Sequence, residues 1–141
     1  NVSILSYAVK YASTFYGPFR DAVGSKSKLK KDKKTYQMDY RNSFDIFREV
    51  GFDINEGADM VMVKPGMLYL DIINKIKENF KIPILAYQVS AEYSLIKNGI
   101  QKKILNEESI IESILSFKRA GACAIITYFA LDLAKKINSI N

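Results

Sequence analysis

The stretch Met60-Val61-Met62-Val63-Lys64-Pro65-Gly66 decides the fold. An apolar run of four residues halted by Pro-Gly describes a short strand buried on both faces, as a central parallel strand is. Helical periodicity flanks it. Upstream, Phe44, Phe47, Val50 and Ile54 recur at helical spacing behind a cap at Asn42 or Ser43, and Gly57 ends that helix. Downstream, Leu68, Ile72, Ile73, Ile76 and Phe80 mark an amphipathic helix. The alternation continues. Pro83 opens an apolar run over 84–89, and a polar linker follows. Asn106 then caps a helix with Ile110, Ile111, Ile114 and Leu115 inward; Lys118 and Arg119 suit its C-terminal dipole and Gly121 stops it. Residues 124–128 read as a strand, and Leu131, Leu133, Ala134 and Ile137 as a last helix. At the front, Val2-Ser3-Ile4-Leu5 reads as the first strand, followed by a long polar and aromatic loop.

Four strand–helix alternations predict an α/β protein with a parallel sheet of four βα units. A (β/α)8 TIM barrel takes about 250 residues. Four units in 141 residues read as half of such a barrel or as a small open α/β sheet, and the opening directly on an apolar run favours the half barrel, in one domain. The chain is 48% hydrophobic and 26% charged, which argues against wholesale disorder. Its apolar runs fall far short of the roughly 20 residues that span a bilayer, so no membrane partner is expected. Residues 1–5 do not read as a cleavable signal. One cysteine and no histidine exclude a disulfide framework, a Cys/His zinc site built from this chain alone, and histidine-dependent triads. No Gly-rich phosphate loop is present. The net charge is +6, of which residues 26–34 (KSKLKKDKK) carry +5. One basic loop on a nearly neutral body is a weak footprint for nucleic acid, and none is expected as a partner.

In a βα barrel, chemistry sits where strands end. That rule selects Ser6, Tyr7 and Lys10 after the first run, Lys64 after the second, Ser90 after the third and Tyr128 at the close of the fourth. Lys64 is the most informative. Poor solvation at a strand end lowers an amine's pKa, and a neutral amine can attack a carbonyl to form a Schiff base. The bland alternative is a lysine that snorkels to the rim or pairs with an acid. Lys10 gains meaning beside it, because two ammonium groups in one pocket lower each other's pKa. Arg20, within Phe15-Tyr16-Gly17-Pro18-Phe19-Arg20-Asp21, is either a bidentate carboxylate clamp or half of a local ion pair with Asp21. Residues 26–34 read as a solvated loop, a lid that recruits an anion, or a nucleic-acid contact. Cys123 reads as a small core residue and Glu49 as helical surface.

These segments resemble the 5-aminolevulinate dehydratase (porphobilinogen synthase) family. The resemblance rests on motifs in order along nearly the whole chain: Ser6-Tyr7-Ala8-Val9-Lys10-Tyr11-Ala12-Ser13, Phe15-Tyr16-Gly17-Pro18-Phe19-Arg20-Asp21-Ala22, Thr35-Tyr36-Gln37-Met38, Glu56-Gly57-Ala58-Asp59-Met60-Val61-Met62-Val63-Lys64-Pro65-Gly66, Tyr69-Leu70-Asp71-Ile72, Ala86-Tyr87-Gln88-Val89-Ser90, Ser116-Phe117-Lys118-Arg119-Ala120-Gly121-Ala122 and Thr127-Tyr128-Phe129. It implies the C-terminal half of a βα barrel that condenses two molecules of 5-aminolevulinate to porphobilinogen, toward haem and other tetrapyrroles. Lys64 resembles the Schiff-base lysine of the propionate-side substrate, and Lys10 that of the acetate side. Ser90 and Tyr128 resemble the hydroxyls that hold the first carboxylate. Arg20, Lys33 and Gln37 resemble the groups for the second carboxylate, with Tyr16 and Phe15 as pocket wall. Residues 26–34 lie where the family has its lid.

The resemblance also has departures. Lys33 stands where the family usually carries arginine, which keeps charge and loses bidentate geometry. The lid is lengthened and richer in lysine, and Cys123 replaces a frequent aspartate. The family's earlier βα units, its N-terminal assembly arm and the segment that binds the catalytic Zn2+ or Mg2+ have no counterpart in residues 1–141. Glu49 resembles a glutamate that supports an allosteric Mg2+ site. The family implies a homo-octamer of the full-length protein, in the cytoplasm or in a plastid after an upstream transit peptide. Two other readings remain at this point: a nucleic-acid-binding module using residues 26–34, and a different lysine-dependent, aldolase-like barrel.

Overall fold

The structure, a computed structural model, describes residues 2–22 and 37–138. Its centre is one sheet of four strands in the order β1-β2-β3-β4, with β1 Leu5–Lys10, β2 Met60–Lys64, β3 Ile84–Tyr87 and β4 Ala124–Ile126. All three pairings are parallel and each strand neighbours the next in sequence. The helices are α1 Gly17–Ala22, α2 Asp45–Asn55, α3 Leu70–Asn79, α4 Ser90–Gln101, α5 Glu108–Ala120 and α6 Ala130–Asn138. This is the expected run of βα units.

Period-two alternation divides each strand between two faces. Val61 and Val63 of β2, with Ile84 and Ala86 of β3, join Ile46 and Val50 of α2, Ile72, Ile73 and Ile76 of α3 and Phe117 of α5 in the main core. Met60, Met62 and Lys64 therefore share the opposite face, with Leu85 and Tyr87 alongside. A smaller cluster of Ile96, Ile110 and Phe129 joins α4 and α5 to the exit of β4. Helix ends follow local chemistry. Asn42 Oδ1 accepts from the Phe44 and Asp45 amides at the start of α2, and Gly121 closes α5 with φ 119°.

Several expectations are corrected. Val2, Ser3 and Ile4 are exposed, and the first strand starts at Leu5, where pairing to Met60 begins. β1 carries Ser6, Tyr7 and Lys10 among its six residues, so an apolar run marked it poorly. Its last residue is Lys10, so Ser6 and Tyr7 lie within the strand. The polar linker after residue 89 contains α4. Its apolar positions Tyr93, Ile96 and Ile100 keep helical spacing, diluted by Ser94, Asn98 and Gly99. β3 and β4 are shorter than their apolar runs because pairing stops at Tyr87 and Ile126. Leu68, Leu115, Leu131 and Ile137 are exposed, and so is Cys123, whose Sγ donates to the Ile84 carbonyl.

Gly66 shows why glycine follows the β2 strand. A Cβ there would overlap the Phe117 ring and approach the Tyr87 carbonyl oxygen at 3.2 Å. Gly66→Ala should lower stability by about 1–3 kcal/mol through overpacking. Gly51→Ala, in α2 with nothing within 4 Å of the added carbon, should raise it by about 0.5–1 kcal/mol. Urea midpoints of the two variants should move in opposite directions.

Candidate active site

Lys64 is the last residue of β2, and its ammonium lies among aromatic rings. Nζ is 4.0 Å from the ring centre of Tyr87, 5.5 Å from Tyr7 and 5.9 Å from Tyr16. The Tyr16 hydroxyl donates to the Lys64 carbonyl at 2.9 Å and fixes the turn beneath it. Burial lowers the Lys64 pKa from the ordinary lysine value, and Lys10 lowers it further.

The Lys10 contribution comes from strand register. Lys10 pairs directly with Lys64 across the parallel β1–β2 ladder. Leu5↔Met60 and Ser6↔Val61 are followed by Val9↔Val63, so β1 spends one more residue than β2 over this interval. Without that extra residue, strict alternation from Ser6, which shares the core face of Val61, would also put Lys10 on the core face. The bulge reverses the parity, sends Val9 into the core and brings Lys10 to the face of Lys64. No sequence signal announces this; Ala8 is an unremarkable residue for a bulge.

A cleft of about 270 Å³, open to solvent, is lined by Tyr16, Phe19, Lys64, Tyr87, Val89, Ser90 and Tyr128. Four of the expected site residues thus meet: Tyr16, Lys64, Ser90 and Tyr128. Ser90 begins α4, and its Oγ is a buried side-chain oxygen without a hydrogen-bond partner among the described residues. Tyr128 faces Tyr87, whose pKa is raised by burial and by Tyr128. Beneath the cleft, Thr127 Oγ1 donates to Gln88 Oε1 at 2.6 Å, and Gln88 Nε2 donates to Ser113 Oγ at 3.2 Å. That network ties the ends of β3 and β4 together, and so sets Ser90 relative to Tyr128.

Of the other expected residues, those that the structure describes do not line this cleft. Phe15 sits in a 3-10 turn, Thr14–Tyr16, and its amide donates to Ser13 Oγ; Phe19 takes the place on the cleft wall. Gln37 is buried and lines a separate, solvent-open pocket with Ala12, Asp39, Tyr40 and Arg41, and its Oε1 has no partner among the described residues. Arg20 lies on α1, but its side chain, Lys33 and the whole run 26–34 lie outside the described residues. Glu49 is on α2, where Arg48 holds its Oε1 at 3.1 Å. Among the described residues no three acidic or cysteine side chains converge as metal ligands. Glu49 therefore fits a metal only with ligands drawn from elsewhere. Tyr87, Phe19 and Val89 were not singled out from sequence. Tyr87 was findable, since it ends β3 as Lys64 ends β2.

Lys10→Met should move the pH curve for reductive methylation of Lys64 upward. The intact pair releases the Lys64 proton at lower pH, so the wild type should label at lower pH. The variant should stop short of ordinary lysine behaviour because burial persists. An unmoved curve would show that Lys10 does not act on Lys64.

The profile described as Delta-aminolevulinic acid dehydratase matches residues 1–136. Delta-aminolevulinic acid dehydratase of Rhodobacter capsulatus is 55% identical over 140 residues, covering 99% of this chain and 42% of that protein. The chloroplastic enzyme of Spinacia oleracea is 53% identical, over 96% of this chain and 31% of that protein. The crystal structure of the Toxoplasma gondii enzyme with its reaction product porphobilinogen superposes with a TM-score of 0.90 at 52% identity, over 94% of this chain and 38% of that one. The chain thus spans about two fifths of the length of the relatives it first matches. With the paired lysines, the strand-end cleft and these matches together, the chain belongs to the delta-aminolevulinic acid dehydratase family.

Proposed function

We propose that this chain supplies the Schiff-base machinery of a 5-aminolevulinate dehydratase, as the C-terminal part of its single barrel domain. The observation that carries this reading is the Lys10–Lys64 register pair beside a cleft that also holds Ser90 and Tyr128. Neutral Lys64 attacks the ketone of one 5-aminolevulinate, and loss of water gives an imine. Protonation of that imine withdraws electrons and acidifies the adjacent carbon. Ser90 and Tyr128 hold the carboxylate of the same molecule. Lys10 forms the equivalent imine with the second molecule, whose carboxylate falls to Arg20, Lys33 and Gln37. Joining the two substrates and losing two waters in total gives porphobilinogen. The reaction class is that of a hydro-lyase.

The same reading covers assembly and metals. The full-length protein is a homo-octamer, in the cytoplasm or in a plastid. Its catalytic Zn2+ or Mg2+ is held outside residues 1–141. Mg2+ at Glu49 serves allostery, with water and other segments completing its ligands, as magnesium commonly allows. Among the described residues no helix is long and apolar enough to cross a membrane. β1 and β4 end the sheet order, so turnover by the chain alone should be negligible.

Borohydride reduction in the presence of 5-aminolevulinate, followed by peptide mapping, tests the reading. The adduct should fall on Lys64, alone or with Lys10, and Lys64→Ala should lose it. Ser90→Ala should raise the half-saturating concentration about tenfold or more, because a hydrogen bond to a charged group is lost. A folded chain that captures a different carbonyl compound and not 5-aminolevulinate would favour an aldolase-like enzyme instead.

A further inference from the structure

We propose that Glu92 is a positioning residue that sets the distance between Lys64 and Ser90. The proposal rests on the Schiff-base reading above. Glu92 stands in the first turn of α4, is 1% exposed and does not line the cleft. Its Oε1 accepts from the Met67 amide at 2.8 Å and its Oε2 from the Val89 amide at 2.8 Å. Burial pushes its carboxyl up to about 7, while the amides of Val89 and of residues 66–68 favour the charged form. These amides belong to two different connections. One is the β2–α3 turn that leaves Lys64, and the other is the β3–α4 junction that delivers Ser90. One carboxylate therefore clasps the two segments bearing the amine that attacks the ketone and the hydroxyl that holds the carboxylate.

The residue type matters. A carboxylate offers two acceptor oxygens, one for each connection. Glutamine of the same length offers one acceptor, and its NH2 would oppose the other N–H. A carboxylate buried at this depth is unfavourable unless hydrogen-bonded, and here both oxygens have donors. The clasp lies behind the cleft and touches no substrate position, so its effect must run through geometry. A substrate that engages only Lys64 is indifferent to the Lys64–Ser90 distance. A substrate that engages both groups is not, because misplacement of about 1 Å can lose two orders of magnitude.

The test compares two ketones on the full chain by borohydride trapping at Lys64. One is 4-oxopentanoate, which is 5-aminolevulinate without its amino group. The other is 2-pentanone, in which a methyl replaces the carboxylate. The wild type should prefer 4-oxopentanoate. Glu92→Gln should reduce that preference about tenfold or more while capture of 2-pentanone stays unchanged. Glu92→Asp keeps two acceptors on a shorter arm and should retain part of the preference. A merely structural role predicts equal losses for both ketones, following the melting temperature, and that result would overturn the proposal. An unchanged preference would overturn it too. If Glu92→Gln does not fold, Glu92→Asp decides on the same terms. No adduct on folded wild type would instead remove the Schiff-base reading, and the proposal with it.

Discussion

Two ammonium groups side by side on one face of a parallel sheet are the constraint on which the site depends. Like charges at adjacent strand ends repel, and burial already disfavours that of Lys64. The sheet nevertheless enforces the pairing. Strand register puts Lys10 opposite Lys64, and one extra residue in β1 gives both the same face. The repulsion cannot relax without breaking a ladder anchored by Val9, Val61 and Val63 in the core. The unfavourable charge thus favours the neutral amine of Lys64, the form that the proposed Schiff-base chemistry would use.

Among the described residues no acid forms an ion pair with that amine. Tyr7, Tyr16 and Tyr87 offer ring faces, which attract the ammonium weakly and form no ion pair. The buried polar groups that could disturb the site are occupied with each other. Gln88, Thr127 and Ser113 form one satisfied network, and Glu92 serves backbone amides. The exception on the cleft wall is Ser90 Oγ, buried without a partner among the described residues. A buried hydroxyl without a partner is unfavourable in the empty protein and becomes available to a ligand.

Much of this was legible in the sequence, and the limits have physical causes. The Met60 to Gly66 stretch was readable because a strand buried on both faces must be apolar throughout. It placed Lys64 at the strand end correctly. β1, with Ser6, Tyr7 and Lys10 among its six residues, is no apolar run, and the exposed Val2, Ser3 and Ile4 mark its start wrongly. Helix α4 is not legible because its apolar stripe is sparse, broken by Ser94, Asn98 and Gly99. Ser90 and Tyr128 could be named but not brought together. They share a cleft through Gln88 and Thr127, residues 39 apart in the chain. The bulge that aligns Lys10 with Lys64 is written only in the pairing, not in residue type. The strand-end rule singled out both lysines; the register shows why Lys10 acts on the Lys64 charge.

The most direct test of the account is the titration of Lys64 itself, followed by NMR of its side-chain carbon and nitrogen across pH. The account predicts that Lys64 loses its proton below the ordinary lysine range of about 10.4, apart from the surface lysines. A Lys64 that titrates together with the surface lysines would contradict it, because neither burial among the tyrosines nor the Lys10 charge would then be acting on the amine.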